Sequence, residues 1–288
     1  MAFCTNIGPQ FDIFKLLASP ALKGLVRLDP IFPFKYLTRG YLVPDLSASA
    51  RAAAFAHHYR CLHTNLPASI LRKVLYEDAV LVDKEAEGHR LSVHLSLART
   101  EVREGELTLI LRVDGIAVYC LQFTIVPGSV VRSDSTDVIM ISRVQGMKGC
   151  YEQVRLATKA FQDVAPPALL LSVLHGLAQL CGIDEMAGVS AASQYCYEEG
   201  SAESFRGAYD AFWLELGAER KSPTFFVGPL PPKEKSLENI KNGHKARTRK
   251  KREFKKQIAE DVFHLLLGTK PEQLHALVPK EEHAETTL

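Results

Sequence analysis

The sequence predicts a mixed α/β (α+β) fold: an antiparallel-rich central sheet, preceded by a helical region and followed by a basic helix. Three observations carry the prediction. Polar and apolar residues alternate through most of 89–144, apolar residues recur at helical spacing in 47–76 and 151–217, and nine of the 35 Lys and Arg crowd into 241–256. The chain has 288 residues, 47% hydrophobic and 24% charged, with a mean hydropathy of -0.03. That length suffices for a buried core, and the composition excludes both wholesale disorder and a polytopic membrane protein.

Residues 1–46 carry Pro9, Pro20, Pro30, Pro33 and Pro44, so helices there must be short. Phe11, Phe14, Ala18, Ala21 and Leu25 fall near helical spacing. They suit an amphipathic piece that docks on the body or, as the less favoured alternative, on a membrane surface. From Ser47 to His63 a helix is expected, capped by Ser47 or Ser49, with Phe55, Tyr59 and Leu62 as one stripe and Pro67 beyond its end. A short helix follows from Ala68 to about Tyr76. The three regions expected are 1–76, helical; 77–232, the α/β core; and 233–288, the basic helical segment.

The sheet signals begin at His89. Through Leu97, Leu91, Val93 and Leu95 fall on one face and Ser92, His94 and Ser96 on the other. Leu107 to Val113 repeats the pattern, and Asp114-Gly115 supplies a two-residue turn into Ile116–Val126 because both residues tolerate positive φ. A fourth strand is expected from Asp137 to Val144. Helices then follow over Tyr151–Gln162 and Pro166–Cys181, the second opened by proline and closed by Gly182. Val164 to Ile183 is uncharged and long enough to cross a bilayer, but Pro166-Pro167, Ser172, His175 and Gln179 favour a buried helix. A short strand at Asp184–Ser190, a helix over Ser201–Leu216 and a strand at Thr224–Val227 complete the core. The last helix is expected through Phe254, Ile258, Val262 and Leu265, after the basic segment.

The six cysteines, at 4, 61, 120, 150, 181 and 196, form no Cys-x-x-Cys pair and no disulfide framework, which suits a reducing compartment. Met1 to Gln10 lacks the basic start and apolar run of a secretory signal. A cytoplasmic protein is expected, with peripheral contact at the inner membrane as an added option. Segment 241–256 sets nine cations against one acid, Glu253, a net +8, so a chain of net +2 carries -6 elsewhere. Arg247, Arg249, Lys250, Lys251 and Arg252 are the expected contacts for an anionic partner: an acidic carrier protein, an anionic lipid or a phosphate-bearing ligand. Nucleic acid fits less well, because Phe254 alone interrupts the run where a single-strand platform interleaves aromatics. The plain alternative is a solvated helix face.

Acyl transfer needs a base for the acceptor and a donor for the developing oxyanion or thiolate. Glu104, Glu106, His94 and Tyr209 are the candidates, and they form no dyad in sequence. A solvent-facing turn beside Gly105 is the plain alternative for the two glutamates, and a half-exposed strand position for His94. Trp213, Tyr209 and Phe212 read as core before pocket. His57, His58 and His63 do not gather on one helical face, so no metal site is expected. No cysteine stands in an activating setting, and the Gly-x-Ser-x-Gly elbow is absent.

Arg143-Val144-Gln145-Gly146-Met147-Lys148-Gly149, followed by helix, strand, helix and strand, resembles the GCN5-related acyltransferase fold, with its second glycine one residue later than in that family. The resemblance implies that backbone amides of a glycine loop at a helix start hold the pyrophosphate of acyl-coenzyme A. Arg143, Gln145, Gly146 and Gly149 would then bind the cofactor, with Lys159 as a further phosphate contact or a snorkelling helix edge. A wider resemblance spans about Tyr36 to Lys256. His58-Tyr59-Arg60, Arg103 to Leu109, Gln122-Phe123-Thr124, Val144-Gln145-Gly146, Ala157 to Ala160, Leu169-Leu170-Leu171, Gly188-Val189-Ser190, Tyr209 to Trp213 with Leu216-Gly217, and the late Lys/Arg run are similar, in this order, to the VirK/YbjX family. That resemblance implies a bacterial protein linked to virulence, envelope integrity and resistance to cationic antimicrobial peptides. Where the family tends to a Gly-x-Arg-Pro-Lys-like helix start, this chain has Gln162 to Pro167, without the two basic residues. Two functions are therefore expected as alternatives: an acyltransferase using acyl-coenzyme A or an acyl carrier protein, or a non-enzymatic module that binds an anionic partner.

Overall fold

In a computed structural model the described residues are 7–98, 103–195, 197, 202–234 and 236–268. The chain begins with α1 (Ile7–Leu17), α2 (Lys23–Leu28) and a 3₁₀ turn (Phe32–Leu37), then α3 (Ala48–Asn65) and α4 (Ala68–Tyr76). Ser47 caps α3 through Oγ, which accepts from the Ala50 amide at 3.1 Å. Four strands follow as a meander: β1 (Ala79–Ala86), β2 (His89–Leu97), β3 (Leu107–Val113) and β4 (Ile116–Pro127). Asp114 and Gly115 both take positive φ, 50° and 82°, the tight hairpin turn that joins β3 to β4. After a single turn, α5 (Gly128–Val131), comes β5 (Asp137–Gly146), then α6 (Tyr151–Ala160), α7 (Pro166–Cys181) and β6 (Glu185–Val189). The chain continues through α8 (Ala202–Phe205), a π-turn (Arg206–Asp210), α9 (Ala211–Glu215), β7 (Glu219–Arg220), β8 (Phe225–Pro229) and α10 (Asn242–Leu267).

All eight strands form one sheet in the order β1-β2-β3-β4-β5-β6-β8-β7. Every pairing is antiparallel except β5 with β6. A parallel pair needs a crossover, and α6 with α7 supplies it. That pairing covers only Ile139 to Ile141 against Met186 to Gly188, while β5 runs on to Gly146 against β4 alone. The two strands therefore part beyond Ile141 and Gly188. Leu91, Val93, Leu95, Leu107, Leu109 and Leu111 are all buried on one face, against which α7 packs. One continuous apolar core runs from Ile13 to Leu266.

The structure departs from the sequence reading at four elements. β1 carries no strand signal of its own, because its outer half is Asp83-Lys84-Glu85 and only cross-strand pairing with β2 reveals it. β7 is two exposed residues on the sheet edge, too short for a pattern. The helix expected over 201–216 runs from Ala202 to Glu215 but takes a π-turn in its middle, and this stretch carries two anchors. Asp210 Oδ1 accepts from the Ala191 amide at 2.7 Å, and Trp213 Nε1 donates to the Val189 carbonyl at 2.9 Å. Finally, α10 is one helix of 26 residues rather than a basic segment followed by a helix. Lys, Arg and Glu are good helix formers, so the run propagates until Gly268 closes it with φ 77°. Among the described residues no helix is long and apolar enough to cross a membrane; α7, with 16 residues, is about 24 Å long.

Candidate functional site

The β register distributes the expected acid–base residues. His94, Ile110, Cys120 and Gln145 form one cross-strand row, and Ser96, Thr108, Gln122 and Arg143 form the next. Both rows lie on the face opposite the leucines, giving a polar, half-buried sheet face. Glu104 joins it through Arg143, whose Nη1 lies 3.1 Å from Oε2 and whose Nε donates to Gln145 Oε1 at 2.8 Å. His94 lies 3.2 Å from Asp78, which also meets Arg112 at 3.1 Å, and shares a 2.8 Å hydrogen bond with Ser92. Burial lowers the His94 pKa, opposed by the Asp78 charge. His94 and Gln145 are three strand spacings apart, about 14 Å, so this face carries no hydrogen-bonded dyad between them.

Glu106 is separate from that face. It is fully buried, 3.1 Å from the buried Lys35 ammonium, and accepts a hydrogen bond from Tyr59. The solvent-facing turn weighed for it does not hold: the chain from Phe32 to Tyr41 closes over it, and Lys35 also donates to the Gly105 carbonyl at 3.3 Å. Burial first, then the Glu106 charge, raises the phenol pKa of Tyr41 and Tyr59 well above 10. Tyr209 lies in the π-turn, stacked on Phe205 at 5.9 Å, in neither group.

The glycine loop is a strand end followed by a tight turn. Gly146 pairs with Tyr119, a Cβ there would lie 3.2 Å from that ring, and the Met147 amide donates to the Val118 carbonyl at 2.9 Å. Gly149 takes φ 84° one residue before Cys150, which precedes the first residue of α6. Lys159, eight residues past the start of that helix and about 12 Å along it, pairs with Glu87 at 2.7 Å. It lines an open cleft of about 770 Å³ between α6 and the two hairpin turns, with Glu87, Asp114, Glu152 and Arg155. His57 pairs with Asp137 at 2.5 Å while His58 accepts from the Ile125 amide at 3.0 Å, so the two rings serve different partners. No cluster of three or more metal-binding side chains occurs among the described residues. Cys61, Cys120, Cys150 and Cys181 are free thiols; Cys4 and Cys196 lie outside the described residues.

A larger concave feature than that cleft lies where α10 runs beside α7. Arg247 meets Asp163 at 2.8 Å at one end, and Gly176 meets the Ala259 backbone at the other. Between these pins, residues 231–234 and Ile240 is a groove of about 940 Å³. Val164, Ala168, Leu171, Leu216 and Ile240 give it an apolar floor; Arg249, Lys251, Arg252, Lys255 and Lys256 line its α10 side. Glu234 occupies Arg252 and Lys255, at 2.7 and 2.6 Å, and Lys256 meets Glu260 at 3.5 Å. Arg249 and Lys251 have no ion pair among the described residues. Lys250 is exposed beside them. His175 sits in the wall, and burial lowers its pKa. The charge run signalled the basic wall in sequence; nothing local signalled that Val164, Ala168 and Leu171 stand opposite it.

No solved structure matches the chain. An uncharacterised protein of Haemophilus influenzae is 26% identical over 222 residues, covering 76% of this chain and 72% of its own length. A family model described as a protein of unknown function, DUF535, matches residues 10–264. The chain therefore belongs to the DUF535 family, which is the VirK/YbjX family that its motifs resemble.

Proposed function

We propose that the groove between α7 and α10 binds a phosphate-bearing acyl compound, and that through this ligand the protein serves the bacterial envelope from the cytoplasmic side of the inner membrane. The observation that carries the reading is the pairing of an apolar floor with the free cations Arg249 and Lys251 in one groove. Each methylene laid on such a floor contributes about 0.8 kcal/mol, and a phosphate opposite paired Arg and Lys takes charge-assisted hydrogen bonds. Acyl-coenzyme A, an acylated carrier protein and an anionic lipid share this chemistry. The family's association with envelope integrity, peptide resistance and virulence agrees with all three.

A second reading, acyl transfer itself, is favoured by one observation. β5 and β6 part after Ile141 and Gly188, beside the polar face that holds His94, Glu104, Arg143 and Gln145, and a glycine turn with α6 and α7 leads from one strand to the other. Calorimetric titration separates the readings. Palmitoyl-coenzyme A is expected to bind saturably and acetyl-coenzyme A at least tenfold more weakly. Arg249→Glu/Lys251→Glu should lose affinity while Gly146→Asp retains it. Loss in Gly146→Asp alone moves the donor to the glycine loop, and equal binding by both variants overturns the groove. Palmitoyl carrier protein and phosphatidylglycerol, titrated in parallel, identify the source of the ligand.

A further inference from the structure

Independently of the groove, we infer that α1, α2 and the 3₁₀ turn present a docking surface for an anionic lipid bilayer. Ile13, Leu17, Leu22, Leu25 and Phe32 from this layer are buried against the body. That leaves a second apolar set facing out: Phe11 is 70% exposed, Phe14 41%, Leu28 74%, Ile31 66% and Phe34 36%. Single exposed apolar residues are ordinary; five large ones within 24 residues are not. Two of them touch, and the others stand beside these two in the chain. Phe11 and Phe14 are one turn apart on α1, Phe14 packs edge-on against Phe34 with ring centroids 5.7 Å apart, and the Phe34 amide bonds the Ile31 carbonyl at 2.9 Å. Leu28 ends α2 just before them.

The cations around this patch select the occupant. Lys15, Lys23 and Arg27 are exposed and have no ion pair among the described residues. The acids nearby are Asp12, on α1, and Asp29, whose carboxylate accepts from the Ile31 amide at 2.9 Å. Lysine is depleted at protein–protein interfaces, where its hydration is lost. At a bilayer it keeps its ammonium among headgroups while the adjoining aromatic rings enter the acyl boundary. An apolar patch rimmed by two free lysines and Arg27 thus fits an anionic bilayer better than a second protein surface.

Sedimentation of the full chain with vesicles of phosphatidylcholine, with and without phosphatidylglycerol, tests the inference. Binding to the anionic vesicles is expected. It should fall at least tenfold in Phe11→Ser/Phe14→Ser and in Leu28→Ser/Ile31→Ser, with the far-UV circular dichroism unchanged, and should survive Arg249→Glu/Lys251→Glu. Should the serine variants fold poorly, Phe14→Trp supplies a second readout, because the sole native tryptophan, Trp213, is fully buried. Acyl-brominated lipid should quench the introduced indole. No quenching, serine variants that bind like the wild type, or concentration-dependent self-association without vesicle binding would each overturn it.

Discussion

At the scale of single residues, charge burial separates a structural carboxylate from an available one. Glu106 and Lys35 are both buried and 3.1 Å apart, with Tyr59 donating to the same carboxylate. Removing one member of such a pair strands the other charge, at a cost of about 3–5 kcal/mol, whereas removing both charges is far milder. Lys35→Met is therefore expected to lower the denaturant midpoint sharply. Lys35→Met/Glu106→Gln, which keeps an acceptor for Tyr59, should recover most of the loss. A double variant as unstable as the single one would show that packing around Lys35, not charge, carries the effect. The sequence could not separate the two glutamates. Glu104 and Glu106 flank the same glycine, and only Lys35, some seventy residues earlier in the chain, decides which one is buried. His94 was legible, since its alternation with Val93 and Leu95 fixes its face.

At the scale of elements, the seating of α10 on α7 depends on a close approach at one glycine. A Cβ on Gly176 would lie 2.5 Å from the Ala259 carbonyl oxygen and 2.8 Å from Val262 Cβ, so the glycine is what lets α10 sit down on α7. On the far side of α10, Lys84 lies 5.5 and 5.7 Å from the Phe161 and Phe254 ring centroids and donates to the Ala160 carbonyl at 2.7 Å. Gly176→Val is expected to lift α10, at about 1–3 kcal/mol for the overpacked contact. Limited proteolysis should then cut within 242–267 faster than in the wild type, and palmitoyl-coenzyme A affinity should fall with it. Emission from Trp213, anchored on β6, should stay unchanged; if it shifts as well, the helix is not an independent unit. The β3–β4 hairpin, α3 and α7 were legible in sequence because period, caps and turn residues are local signals. The groove was not, because a helix with a charged half gives no sign of which neighbour its apolar half will meet.

At the scale of the whole molecule, one imidazole ties the N-terminal helices to the sheet. β3 begins at Leu107, opposite Phe123, so the far part of β4 has no partner strand on that side. The Ile125 amide is instead satisfied by His58 Nδ1 at 3.0 Å, reaching in from α3. A ring that accepts there must be unprotonated at Nδ1, and burial, with Lys35 and His57 adding positive charge, lowers its pKa to about 3. The unfolded chain titrates near the ordinary histidine value, about 6.5. Above that pH neither state holds the proton and the contribution is fully present. Below it the unfolded chain takes up a proton that the native state refuses, so stability falls as pH drops, by up to about 1.4 kcal/mol per unit until about pH 3. Burial lowers His94 and His175 in the same direction. Urea unfolding at pH 7, 5.5 and 4.5 should therefore show a steep loss in the wild type. The loss should be shallower in His58→Asn, whose side-chain oxygen can accept from Ile125 without titrating. Equal slopes in the two proteins would place the acid sensitivity in the carboxylates and reduce His58 to packing.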